Sequence, residues 1–189
     1  MNSIQPSGFA RVTLKAFFFL IAAALWQPAV AHATTAEQDV QDIIQHLPEL
    51  KPITYQAANE KYRIVVFIEN QCGYCSVLVS NIKAYTDAGL TMSFLTLAPT
   101  SIRDSVIEDM SRVWCAKDPG KSLQSAMKGF LPDNDSTPEC RHLIEQQSAL
   151  SDRLGVKATP TMVVLKSAPV VFLGNVKPDV ILKTLADAK

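Results

Sequence analysis

At 189 residues, with 48% hydrophobic content and no long polar tract, the chain suits one globular domain with a substantial core, and disorder over most of its length is excluded. Its 18 Lys plus Arg balance 18 Asp plus Glu. Such neutrality gives no electrostatic case for nucleic acid or an anionic lipid surface as partner.

The first 33 residues hold Arg11 and Lys15, then the apolar run Ala16–Trp26 ("AFFFLIAAALW"), then "AVAHA", which offers small-x-small cleavage sites after Ala31 or Ala33. That order is the layout of a secretory signal peptide. A membrane helix is the alternative, but the unbroken core is short for a hydrocarbon layer of ~30 Å, which takes ~20 residues. Residues 1–33 are therefore expected to be removed on export, leaving 16 Lys plus Arg against 18 Asp plus Glu. All four cysteines, Cys72, Cys75, Cys115 and Cys140, lie in the exported part. An even count in an oxidising compartment favours disulfides. Three pairings can be drawn; only Cys72 with Cys75 closes a tight local ring, which leaves Cys115 and Cys140 as a long-range pair.

Residues 34–54 read as a short helix and linker. In "TTAEQDVQDIIQHL", Thr34 with Glu37 or Thr35 with Gln38 forms a capping box, and Val40, Ile43, Ile44 and Leu47 share one face. Pro48 and Pro52 end it. Residues 55–189 form the main domain. Between Lys61 and Asn70 the run "RIVVFIE" is too continuous for a strand wetted on one face and predicts a buried strand in a covered sheet. A helix follows, with Leu78, Ile82 and Tyr85 at helical spacing and Gly89 as a left-handed C-cap. "LTMSFLTLA" is the next strand.

From about residue 100 to 155 only helical patterns occur. Ile102, Val106, Met110 and Val113 make one stripe, Asp118–Pro119 and Thr137–Pro138 read as caps with first turns, and Leu143, Gln147, Leu150 and Leu154 make another stripe. Two strands, "TMVVLK" and "VVFL", and a helix from about Pro178 close the chain. The order is that of a sheet with helices packed on it. The pair Cys72 and Cys75 falls at the carboxyl end of a strand, where open α/β sheets carry function.

Cys72 would stand at the N-terminus of the following helix, where unpaired N–H groups and the dipole favour its thiolate. Cys75, one turn further in, can reach the Cys72 sulfur but hardly solvent. The pair therefore reads as an attacking and a resolving thiol, with Gly73 and Tyr74 between them tuning the potential. A zinc site would need four ligands, and neither Cys115 nor Cys140 belongs to a second close pair; no metal is expected. An inert staple is disfavoured because small strained rings tend to be the labile ones.

Three longer segments carry a resemblance. "ITYQAANEKYRIVVFIENQCGYC", "VWCAKDPGKS" and "LGVKATPTMVV" resemble the active-site approach, the structural-disulfide segment and the cis-proline loop of the periplasmic DsbC and DsbG disulfide isomerases. The resemblance is to that family's thioredoxin-fold catalytic domain and runs over most of the exported chain. It implies an α/β, thioredoxin-like fold with a helical insertion between the second and third strands of a β-α-β-β-β-α core. Carried over by residue, it makes Cys72 the nucleophile and Cys75 the resolving thiol, with Gly73 and Tyr74 setting the potential. Pro160 becomes the cis-proline facing them, and Thr159 a backbone partner for an extended substrate segment. Cys115 and Cys140 become the structural disulfide. Glu69 is a candidate for proton transfer from Cys75, a solvated strand end being its alternative reading.

The implied function is isomerase or reductase of disulfides in exported proteins, without a cofactor. The implied partners are disulfide-bearing clients and a membrane thiol reductase of the DsbD type. Alternatives are a dithiol oxidase and a non-enzymatic client-binding module. The family places a dimerisation domain before the linker helix, where this sequence has only the short stretch after the signal. A monomer is expected, with weak pairing through the helix over 35–47 as the alternative.

Overall fold

The computed structural model describes residues 36–188. The segment read as a signal, and the proposed cap residues Thr34 and Thr35, lie outside them. Five strands form one sheet in the order β1-β3-β2-β4-β5. These are β1 (Ile53–Tyr55), β2 (Tyr62–Ile68), β3 (Leu90–Thr96), β4 (Thr161–Val164) and β5 (Val170–Leu173). β2 and β3 are parallel, while β1, β4 and β5 each run antiparallel to their neighbour. The helices are α1 (Ala36–His46), α2 (Gly73–Ser80), α3 (Ile82–Asp87), α4 (Arg103–Cys115), α5 (Pro119–Ala126), α6 (Pro138–Arg153) and α7 (Pro178–Asp187). Among the described residues no helix is long and apolar enough to cross a membrane.

The central strand explains its own sequence. Ile64, Val66 and Ile68 pack into one cluster with Cys75, Leu78, Val106, Met110, Ile181 and Leu185 from helices on that face. Val65 and Phe67 point the other way, into a second cluster with Val40 and Ile43 of α1 and Leu150 of α6. All five side chains are fully buried, so both faces of the strand require apolar residues. The insertion α4–α6 lies between β3 and β4, with Asp118 and Thr137 accepting the expected cap bonds from Lys121 N–H and Cys140 N–H.

Four local readings need correction. β1 is an additional strand at the N-terminal side, set against Met92–Phe94 of β3. Only Ile53 of its three residues is buried, so it has no alternation to read. Ile44, assigned to the apolar face of α1, is 43% exposed, while Val40 and Ile43 are buried and Leu47 packs partly buried against the same cluster. The helix after Cys72 is broken at Asn81, whose φ of −101° and ψ of 16° leave the helical region while its Nδ2 donates to Val77 O at 2.8 Å. Leu78, Ile82 and Tyr85 nevertheless all stay buried. Glu69 is no solvated strand end, being only 5% exposed. Gly89 does take the left-handed conformation, φ +91°, and a Cβ there would stand 2.8 Å from Asn59 O.

Beyond Phe94, β3 has no β1 partner, and α6 supplies the missing bonds. Gln147, fully buried, accepts from Thr96 N–H and donates to Leu50 O, both at 2.8 Å. Its neighbour Ser148 accepts from Ala98 N–H at 3.1 Å. The polar member of the α6 stripe thus completes a sheet edge.

Candidate functional site

The register of the sheet assembles the site. Phe67 of β2 stands opposite Thr161 of β4, so the residues following β2 and those preceding β4 meet at the same end of the sheet. The former are Glu69 to Cys72, the latter Thr159 and Pro160. The Thr159–Pro160 peptide bond is cis. Cys72 Sγ lies 3.4 Å from Thr159 O.

Cys72 is the N-cap of α2, with extended backbone (φ −86°, ψ 112°). Its sulfur accepts from Cys75 N–H at 3.2 Å, the bond a capping oxygen makes in an ordinary helix. Ser76 N–H and Oγ both bond to Cys72 O, at 3.1 and 3.3 Å. Both Cys72 and Cys75 are free thiols, the first partly exposed and the second buried. Burial pushes the Cys75 thiol well up from its ordinary value, and its hydrogen bond with Cys72 adds to this; the backbone N–H of Glu69 opposes it. Burial likewise raises the Glu69 carboxyl, against the bond it accepts from Gln71 N–H. Tyr74 is 69% exposed. A Cβ on Gly73 would meet nothing within 4 Å, so space does not require glycine there.

Two residues next to the cysteines escaped sequence reasoning. Asn70 Nδ2 donates to Asp109 Oδ2 at 2.8 Å, and Gln71 Nε2 to Ser105 Oγ at 3.0 Å. Both tie the turn before Cys72 to α4, and sequence separations of 39 and 34 positions leave no pattern to read.

Cys115, the last residue of α4, is joined by a disulfide to Cys140 in the first turn of α6, Cα to Cα 6.0 Å. The bond closes the insertion on itself. Among the described residues no group of three or more His, Cys, Asp or Glu side chains is placed to hold a metal ion.

A helix-capping dithiol at the end of a central strand, opposed by a proline loop from the neighbouring strand, is the arrangement of the thioredoxin class. The chain belongs to the thioredoxin-like domain family, which matches residues 49–189. Among curated proteins it is similar to the thiol:disulfide interchange protein DsbC of Haemophilus influenzae, 33% identical over 135 residues, or 71% of this chain and 57% of that one. It is also similar to DsbC of Salmonella typhimurium, 36% identical over 117 residues, 61% of this chain and 47% of that one. The chain spans about half the length of these relatives. Among solved structures, a disulfide interchange protein from Neisseria gonorrhoeae superposes with a TM-score of 0.58 at 20% identity, over 72% of this chain and 94% of that one. Proteus mirabilis ScsC gives 0.61 at 18% identity, over 82% and 80%. Those two likenesses concern the fold alone.

Proposed function

We propose that the chain is a thiol:disulfide oxidoreductase of the periplasm that isomerises or reduces disulfides in exported proteins. The observation that carries this reading is the contact of Cys72 Sγ with Cys75 N–H on one side and Thr159 O on the other. This contact supports the reading that a partly exposed sulfur, backed by a buried second thiol, meets a client segment beside the Thr159 carbonyl. The similarity to DsbC proteins supports the same chemistry.

In this reading the Cys72 thiolate attacks a client disulfide. One client sulfur becomes bonded to Cys72 and the other leaves as a thiolate that takes up a proton. Two resolutions follow. A second client thiolate can displace Cys72, which moves the client's disulfide and returns the dithiol unchanged. Alternatively Cys75 attacks Cys72, giving a Cys72–Cys75 disulfide and a client carrying two more electrons. Glu69 accepts the Cys75 proton in that step, and Gly73 and Tyr74 set the potential. The second route consumes the dithiol, so a membrane thiol reductase of the DsbD type is the partner that restores it. Thr159 and Pro160 receive the client, Cys115–Cys140 is a permanent staple, and no cofactor is used. The signal segment is cleaved after Ala31 or Ala33, and the exported chain is a monomer.

Purified exported chain, with glutathione as reductant, is expected to accelerate insulin reduction through Cys72. An unaccelerated reaction, with Cys72 alkylated no faster than a free cysteine, overturns the reading.

A further inference from the structure

Glu69, Asn70 and Gln71 make up the turn between β2 and Cys72, and two of their side chains reach the same helix. Their partners Ser105 and Asp109 are four residues apart, on one face of α4. The two contacts differ in weight. Gln71 to Ser105 is exposed and neutral, whereas Asn70 to Asp109 is partly buried and made to a carboxylate. The other amide atom, Asn70 Oδ1, is buried and has no hydrogen-bond partner among the described residues. Reversing the amide would set that oxygen against the Asp109 carboxylate, so Asp109 also fixes which way Asn70 points.

The same turn carries Cys72, whose sulfur takes Cys75 N–H at 3.2 Å. We infer that Asp109 is a positioning residue for the dithiol: through Asn70 it holds the 69–72 turn against α4, so that Cys72 keeps its place against Cys75. This rests on the reading of Cys72 and Cys75 as the redox centre. The helical insertion thereby does more than enlarge the core, because one of its helices sets the geometry in which the two sulfurs meet.

The consequence can be read in the equilibrium with glutathione. Oxidation forms the Cys72–Cys75 bond and breaks the bond of one glutathione disulfide; two electrons and two protons pass to the two glutathione thiols. The Cys75 N–H aimed at the Cys72 sulfur is a hydrogen bond of the reduced form. Releasing the turn weakens it and shifts the equilibrium toward the protein disulfide.

The test is a double-mutant cycle on the exported chain, reading that equilibrium constant for wild type, Asn70→Ala, Asp109→Ala, the double variant and Asp109→Asn. Each alanine variant is expected to raise the constant about tenfold, equivalent to about 30 mV for a two-electron couple. The double variant should match either single one. Asp109→Asn, which can still accept from Asn70, should stay within about twofold of wild type. Alanine variants that lower Tm but leave the constant unchanged would make the contact merely structural. Additive effects, or an Asp109→Asn shift as large as that of alanine, would also overturn the inference. Asn70→Ala leaves α4 untouched and must show the shift even if the Asp109 variants fold poorly. A wild-type chain that never exchanges with glutathione overturns the redox reading and this inference together; normal exchange with an uncoupled cycle overturns the inference alone.

Discussion

Cys72 Sγ lies 3.4 Å from the carbonyl oxygen of Thr159, although 87 residues separate them in sequence. The contact follows from pairing β2 with β4, and it puts a backbone acceptor beside the sulfur that a client would have to reach under the proposed function. If an extended client pairs there, one of its N–H groups bonds to Thr159 O. N-methylating in turn the residues flanking the cysteine of a model peptide should lower kcat/KM about tenfold at one position, the worth of a single hydrogen bond. Equal rates for every methylated peptide would remove Thr159 from substrate binding.

Glu69 offers opposite effects on stability and activity. Its carboxyl is raised by burial, so the folded chain holds that proton to higher pH than the unfolded chain, and stability is lost as pH rises through the folded-state value. Glu69→Gln removes the ionising group while keeping an acceptor for Gln71 N–H. Its Tm should exceed that of wild type at pH 7, with the gain vanishing below the ordinary carboxyl value of 4.5. Resolution of a Cys72 mixed disulfide by Cys75 should slow about tenfold or more for want of a proton acceptor. Thermal melts from pH 4 to 8 and single-turnover release of a coloured thiol measure the two effects; a Tm difference that does not vary with pH would contradict the linkage.

The Cys115–Cys140 bond should matter for stability and little for chemistry. Its partners are 25 residues apart, for which chain entropy gives about 3 to 4 kcal/mol. Replacing both by alanine should lower Tm by roughly 10 °C. The potential of the Cys72–Cys75 pair should stay unchanged. A shifted potential in the double-alanine variant would show that the two cysteine pairs communicate.

Much of the fold was legible where its cause is local. The run from Ile64 to Ile68 reads as a doubly covered strand because every position is buried, and Asp118–Pro119 and Thr137–Pro138 read as caps because a cap is a short-range bond. β1 was invisible because three residues carry no period. It is held by what lies across from it, including Tyr55, whose hydroxyl donates to Gly120 O and whose ring meets Phe94 edge-on at 5.7 Å. Ile44 has the spacing of a core residue, but the sheet accepts a narrower arc of α1 than the spacing allows. Cys72 and Cys75 have only two residues between them in the sequence and so draw attention by themselves, whereas Asn70 and Asp109 meet only once α4 has been laid across the turn.

Gln147 marks the same limit and is testable. Helical spacing placed it on an apolar stripe, and only the structure shows the backbone groups of Thr96 and Leu50 waiting for it. Gln147→Ala strands both in a dry environment and should cost about 2 to 5 kcal/mol, measured by urea denaturation. Gln147→Leu, which keeps the volume, should recover little of that. A loss under about 0.5 kcal/mol would mean the edge is satisfied some other way.

Trapping tests the proposed division of labour between the two thiols most directly. Cys72→Ser and Cys75→Ser variants, each with the Cys115–Cys140 pair intact, are incubated with a scrambled multi-disulfide client, quenched with acid and run without reductant. Cys75→Ser should accumulate a client adduct that reductant dissolves, because the partly exposed Cys72 attacks and nothing buried behind it resolves. Cys72→Ser should form none, because Cys75 is buried and burial pushes its thiol up from the ordinary value. Adducts on Cys72→Ser, or on neither variant while wild type still exchanges disulfides, would contradict the assignment.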